Sequence, residues 1–150
     1  MSMVFDAHEL GDLSARFLQV AQQKFPRDTR NFMGRAGNKL SSKAKKSYRA
    51  ETKKKTGNLL KGVKRGKPYK YSSNEYSVRV ENKAPHAHLI EYGHAEWAHH
   101  AKKHNFEHAK PTGRYVKGQH IMGKATKEFE GEFGELAEGF IDRMISEGKL

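Results

Sequence analysis

Residues 75–93 run Glu75-Tyr76-Ser77-Val78-Arg79-Val80-Glu81-Asn82-Lys83-Ala84-Pro85-His86-Ala87-His88-Leu89-Ile90-Glu91-Tyr92-Gly93. Tyr76, Val78 and Val80 alternate with polar residues, which predicts a half-buried strand over 75–82. Pro85 fixes its own backbone angle and holds Ala84 extended, so the strand leaves its sheet cleanly. A short helix or turn follows through His86, His88, Leu89, Ile90 and Glu91. Ala84 and Ala87 are small enough for close packing, Leu89 and Ile90 offer core contacts, and Gly93 permits a reversal after Tyr92. Each of these is a scaffold role.

Working outward toward the amino terminus, Leu59 to Arg65 reads as a second strand, paired with 75–82 through a Gly66-Lys67-Pro68 turn. Thr56-Gly57-Asn58 ends the preceding helix, with Gly57 as its permissive cap. That helix is predicted over about 28–54, capped by Asp28 or Thr29, because Phe32, Ala36, Leu40, Ala44 and Tyr48 recur every four residues. Leu10, Leu13, Phe17 and Ala21 predict another helix over 8–23, interrupted by Pro26. Toward the carboxyl terminus, residues 94–113 are polar and His-rich and read as a long loop, followed by a strand-like Arg114-Tyr115-Val116. A last helix is predicted over about 120–147, with Met122, Ala125, Phe129, Phe133, Leu136, Phe140 and Met144 at three- and four-residue steps. Gly131, Gly134 and Gly139 weaken it by roughly 1 kcal/mol each relative to Ala. The expected fold is α+β: a small, mainly antiparallel sheet packed by long N-terminal and C-terminal helices, in a single domain over 1–150.

The chain has 150 residues, 29 Lys and Arg against 17 Asp and Glu, and no Cys. Without Cys there is no disulfide scaffold, thiolate zinc site, iron–sulfur cluster or Cys nucleophile. The charge is unevenly placed: residues 24–70 carry +15, between ends of −2 (1–23) and −3 (124–150). Such asymmetry points to a polyanion or an acidic protein surface as partner, bound in a salt-dependent way. Lys39, Lys43, Lys46, Arg49 and Lys53 on the predicted helix, with Lys61, Lys64 and Arg65 after it, are the candidate contacts. No apolar run approaches the ~18 residues of a membrane span, and the amino terminus lacks a signal pattern, which predicts a soluble chain not exported by that route.

Chemistry-bearing motifs are scarce. His94, His99, His100, His104 and His108 are tempting, since His100, His104 and His108 would share one helical face. A zincin needs Glu directly after its first His, and here Ala101 and Lys102 follow His100. The stretch is better read as a solvated loop, with no metal or cofactor expected. There is no Gly-x-Ser-x-Gly, phosphate loop or dinucleotide fingerprint. Glu81, Glu91 and Glu96 have no nuclease-like spacing, and Glu91 is as easily an ion-pair partner for the basic block. No enzyme activity is expected. Base-specific recognition lacks its motifs as well.

Three segments in order carry a resemblance: Thr56-Gly57-Asn58-Leu59-Leu60-Lys61-Gly62-Val63, Val80 to Gly93, and Val116-Lys117-Gly118-Gln119-His120-Ile121-Met122-Gly123-Lys124-Ala125. Behind a basic helix they resemble the small neck and tail-completion proteins of long-tailed bacteriophages. On that resemblance Thr56, Gly57, Leu59, Ala84, Pro85, Ala87, Glu91 and Gly93 are family-motif structural residues. His86 departs from the family's usual Tyr, and the His-rich stretch is longer than usual.

The resemblance implies a virion structural protein, a subunit of a homo-oligomeric ring, a hexamer in related necks, joining the capsid connector to the tail. Its implied partners are a head-closure or connector protein, a tail tube or tail terminator protein, and packaged DNA in the channel, with no membrane. Some of the cations named above would face that DNA or an acidic neighbouring ring. The His-rich loop, with His94, Trp97, His100 and Phe106, would dock on assembly. The alternative is a basic nucleic-acid-binding protein without sequence specificity.

Overall fold

The computed structural model describes residues 2–5, 23–53, 57–73, 75–98 and 110–147. The helix expected over 8–23 falls almost wholly outside them. In chain order the elements are β1 (Ser2–Phe5), α1 (Pro26–Glu51), α2 (Asn58–Gly62), β2 (Val63–Arg65), β3 (Tyr69–Ser72), β4 (Glu75–Asn82), α3 (Ala87–Tyr92), β5 (Gly93–Ala98), β6 (Lys110–Lys117) and α4 (Ile121–Ser146). The architecture is α+β, with a small antiparallel sheet packed by two 26-residue helices.

Helix α1 starts two residues earlier than its predicted cap. Pro26 occupies the first turn, where its missing N–H costs nothing and its fixed φ suits a helix. Thr29 is therefore inside the helix, its N–H donated to the Phe25 carbonyl at 3.1 Å. The helix ends at Glu51, where Thr52 turns extended and returns its N–H to Tyr48 O. Gly57 does adopt a left-handed φ of 75°, but it opens α2 instead of closing α1.

Strand β4 is the centre of the sheet. It pairs antiparallel with β1 on one side (Ser2 opposite Glu81, Phe5 opposite Val78) and with β2 (Val63 opposite Asn82, Arg65 opposite Val80). It also pairs with β3, Tyr69 lying opposite Ser77 and Ser72 opposite Glu75. The reversal into β4 thus lies between Ser72 and Glu75, not at Gly66-Lys67-Pro68. Gly66 still gives its N–H to Arg79 O at 2.7 Å, so residues 66–68 only interrupt an edge that resumes as β3. The strand expected over Leu59 to Arg65 is likewise divided, residues 58–62 being helical and 63–65 extended.

The core lies between β4, α1 and α4. Met33, Leu40, Ala44 and Tyr48 of α1, Phe129, Phe133 and Phe140 of α4, and Val63, Val78 and Val80 of the sheet form one buried cluster. Phe32 stacks on Phe140 at 4.7 Å and tilts against Phe133 at 5.5 Å. Further along, Lys43 pairs with Glu128 at 3.7 Å and Lys124 with Glu51 at 3.1 Å, so α1 and α4 are antiparallel neighbours.

The loop expected over 94–113 is corrected at both ends. Gly93–Ala98 and Lys110–Lys117 pair as a two-stranded antiparallel ribbon, with Ala95 opposite Tyr115 and Trp97 opposite Pro111. Residues 99–109, including His100 and Phe106, lie outside the described part. At the base of the ribbon two glycines let backbones cross. Gly93 has φ 83°, and a Cβ there would stand 2.3 Å from Val116 O; one on Gly118 would stand 2.3 Å from Glu91 O.

Candidate functional site

One family-motif residue, Glu91, forms a buried node. Glu91, near the end of α3, is 2% exposed. It accepts a hydrogen bond from the Tyr48 hydroxyl of α1 and another, at 2.9 Å, from the Met122 N–H in the first turn of α4. Its own carbonyl accepts the His120 N–H at 3.2 Å, while the Ile90 carbonyl accepts that of Gln119 at 2.8 Å. An orphan donor of the α4 terminus is thereby satisfied by an acid beside the positive end of the helix dipole. Burial, reinforced by the hydrogen bond to Glu91, holds the Tyr48 phenol above its usual range. Among the described residues, no cation of the basic block pairs with Glu91. It is the joint between α1, α3 and α4.

Asn82 makes a second joint. Its amide donates to Leu59 O at 3.2 Å and its side-chain oxygen accepts the Ala84 N–H at 3.0 Å. This ties α2 to the exit from β4 and leaves no room for a Cβ on Gly62, which would lie 2.4 Å from the Asn82 oxygen. The signal available in the sequence was an Asn two residues before an Ala-Pro step, a position where Asn side chains bond the backbone two residues on. Ala84, Pro85 and Leu59 then line a pocket of about 420 Å³ with Leu60, Ile90 and His86, rimmed by Arg49 and Lys53. Ala87 is buried, and Thr56 lies outside the described residues.

The candidate cations do not form one set. Lys43 is engaged with Glu132 and Glu128 of α4; the hydrogen bond it donates to the Glu132 carboxylate is the main cause that raises its pKa. Arg65 lies across α1, its Nε donating to Asn38 Oδ1 at 2.6 Å and its guanidinium to Gly66 O at 3.0 Å. Its alkyl chain fills the space left by Gly37. Lys39, Lys46, Arg49, Lys53, Lys61 and Lys64 are exposed.

The ribbon displays aromatic surface. Ala95 and Trp97 point to its outer face, Trp97 being 51% exposed, and Tyr115, opposite Ala95, is 65% exposed. All eight residues of β6 are exposed. A two-stranded ribbon is at best marginally stable alone in water. Tyr115 anchors it by donating its hydroxyl to Tyr92 O at 2.7 Å. Glu96 accepts from Thr112 at 3.0 Å, and His94 is half-buried. Among the described residues no group of three or more His, Asp or Glu is placed to hold a metal ion, and no helix is long and apolar enough to cross a membrane.

Against known proteins, the family model described as "Bacteriophage HK97-gp10, putative tail-component" matches residues 12–93, more than half of the chain. The match takes in α1, the sheet from β2 to β4 and α3, and stops where the ribbon begins. No curated protein and no solved structure matches.

Proposed function

Because the chain belongs to the bacteriophage HK97-gp10-like family, we propose that it is a virion structural protein that forms a ring at the junction between head and tail, and that it catalyses no reaction. The family match carries this reading. The node at Glu91 supports it: this motif residue is spent on holding α1, α3 and α4 together, a scaffold role that suits an assembly subunit. The exposed aromatic face of the ribbon suits a docking surface that becomes covered in the particle. The exposed cations Lys39, Lys46, Lys61 and Lys64 suit packaged DNA or an acidic neighbouring ring.

Cryo-electron microscopy of the phage particle containing this chain tests the assignment. The expected result is a closed ring of this chain between the capsid connector and the tail. Particles whose head-to-tail junction lacks it would overturn the assignment. Exchanging Lys39→Glu together with Lys46→Glu tests the basic face separately: heads should lose DNA, or fail to join tails, in a salt-dependent way. Normal assembly and retention with that double variant would remove the role of those cations. Salt-dependent DNA binding by the free chain with no place in the particle would favour the nucleic-acid-binding alternative.

A further inference from the structure

Two surfaces at opposite ends of the molecule are complementary. The first is the pocket of about 420 Å³ beside the end of α1, lined by the apolar Leu59, Leu60, Pro85 and Ile90 and by the cationic Arg49 and Lys53. No acid lines it. The second is the outer row of α4, where Gly131, Glu135, Glu138, Asp142 and Ile145 follow one another at four- and three-residue steps and are all exposed. Ile145 is 52% exposed, a large apolar side chain at the end of an acidic row.

Their positions are set by the antiparallel pairing of α1 and α4. Glu51, at the pocket end of α1, bonds Lys124 in the first turn of α4, whereas the end of α4 lies beside Asp28 and Asn31 at the start of α1. From Lys124 to Ile145 the helix rises about 32 Å at about 1.5 Å per residue. A surface at one end that fits a surface at the other makes a head-to-tail contact, which generates a ring when the rotation closes.

We propose that a second copy of this chain occupies the pocket, placing Ile145 among Leu59, Leu60, Pro85 and Ile90 and its Glu138 and Asp142 against Arg49 and Lys53. This contact rests on the ring reading above and names the faces that close it. Charge favours this occupant: Arg49 and Lys53 make the pocket cationic and the row is anionic, so the two faces attract each other and pairing of either face with its own kind is disfavoured.

A charge-swap mixture of the full-length chain tests it. One variant carries Arg49→Glu with Lys53→Glu, the other Glu138→Lys with Asp142→Lys; all four positions are exposed, and circular dichroism establishes that both variants fold. By native mass spectrometry each variant alone should self-associate about tenfold or more weakly than wild type, and the equimolar mixture should assemble by strict alternation. Carbodiimide coupling of wild-type chain, mixed with its nitrogen-15-labelled copy, should give mixed-isotope links from Lys53 to Glu138 or Asp142. Ile145→Ser should weaken assembly without changing the unfolding midpoint. Failure of the mixture to assemble, wild-type association by either variant alone, or intermolecular links confined to other faces would overturn the contact. So would a pocket that captures only a segment of a different virion protein. If particles still show a ring of this chain closed by other faces, the contact fails and the ring reading stands; if they show none, both fail.

Discussion

Replacing Tyr48 by Phe removes one oxygen from the centre of the joint and little else. In the wild type the hydroxyl donates to Glu91 at a site where Tyr48 is fully buried and Glu91 2% exposed. The lost bond is charge-assisted, a class whose loss costs about 1.5–3 kcal/mol, and burial limits the ability of water to replace it. Glu91 keeps only the Met122 N–H of the two side-chain bonds described above. For a domain of this size the corresponding fall in melting temperature is roughly 3–12 °C. The same substitution has a pH signature. The phenol is held above its usual range in the folded protein, so the folded state keeps a proton that the unfolded state releases from about pH 10 upward. Its stabilising contribution is fully present below pH 10 and is lost as pH rises further, at up to about 1.4 kcal/mol per pH unit. Lys43, also raised, adds a fall of the same sign in both proteins, and the difference between them isolates Tyr48. Urea denaturation followed by circular dichroism from pH 7 to 11 measures both effects. A Tyr48→Phe protein within about 0.5 kcal/mol of wild type at pH 7, or one that keeps the full alkaline slope, would refute the joint as described.

Two further outcomes are expected from glycines with opposite surroundings. Gly131→Ala and Gly134→Ala meet open space within α4, and each should raise the urea midpoint by an amount equivalent to about 0.5–1 kcal/mol; a lowered midpoint would show that the helix is bent there on purpose. Gly93→Ala places a Cβ 2.3 Å from Val116 O at φ 83° and should cost more than about 2 kcal/mol, with loss of the ribbon seen as a change in the fluorescence of Trp97, the single tryptophan. A Gly93→Ala protein with wild-type stability and fluorescence would mean that the ribbon base is not closed as described.

The parts of the fold legible in the sequence are those where one strong local signal acts alone. The four-residue recurrence from Phe32 to Tyr48 marks α1, the alternation around Val78 marks β4, and Ala84-Pro85 with Gly93 brackets α3. Boundaries shifted where two local signals competed. Pro26 looked like a breaker and is a helix starter, because only a helix interior penalises its missing N–H. Leu59 to Gly62 looks extended by composition, yet the Asn82 amide takes the Leu59 carbonyl and favours a helical turn. The site was less legible, because its central residue works through partners far apart in the chain. Glu91 lies 43 residues from Tyr48 and 31 from Met122. Nothing near Glu91 distinguishes a buried joint from a surface acid; periodicity and spacing record neighbours along the chain, not across it.

Charge is where sequence and structure must be combined. The +15 of residues 24–70 suggests a uniformly cationic helix face. Folding divides it. Lys43 is turned inward to the acids of α4, and Arg65 serves as a brace between β2 and α1. Exposed cations line the whole length of α1, Arg27, Arg30 and Arg35 near its start and Lys39, Lys45, Lys46 and Arg49 toward the pocket end, while the exposed acids Glu135, Glu138 and Asp142 form a row on the second half of α4. The exposed surface therefore carries an acidic row on α4 beside a cationic α1, which the net charge of +12 conceals. A protein built only to hold DNA has no need of that acidic row, since phosphate contacts call for a positive surface. A subunit that meets copies of itself as proposed above would use both, the acidic row of one copy facing the cationic pocket of the next while pairing of either face with its own kind is disfavoured.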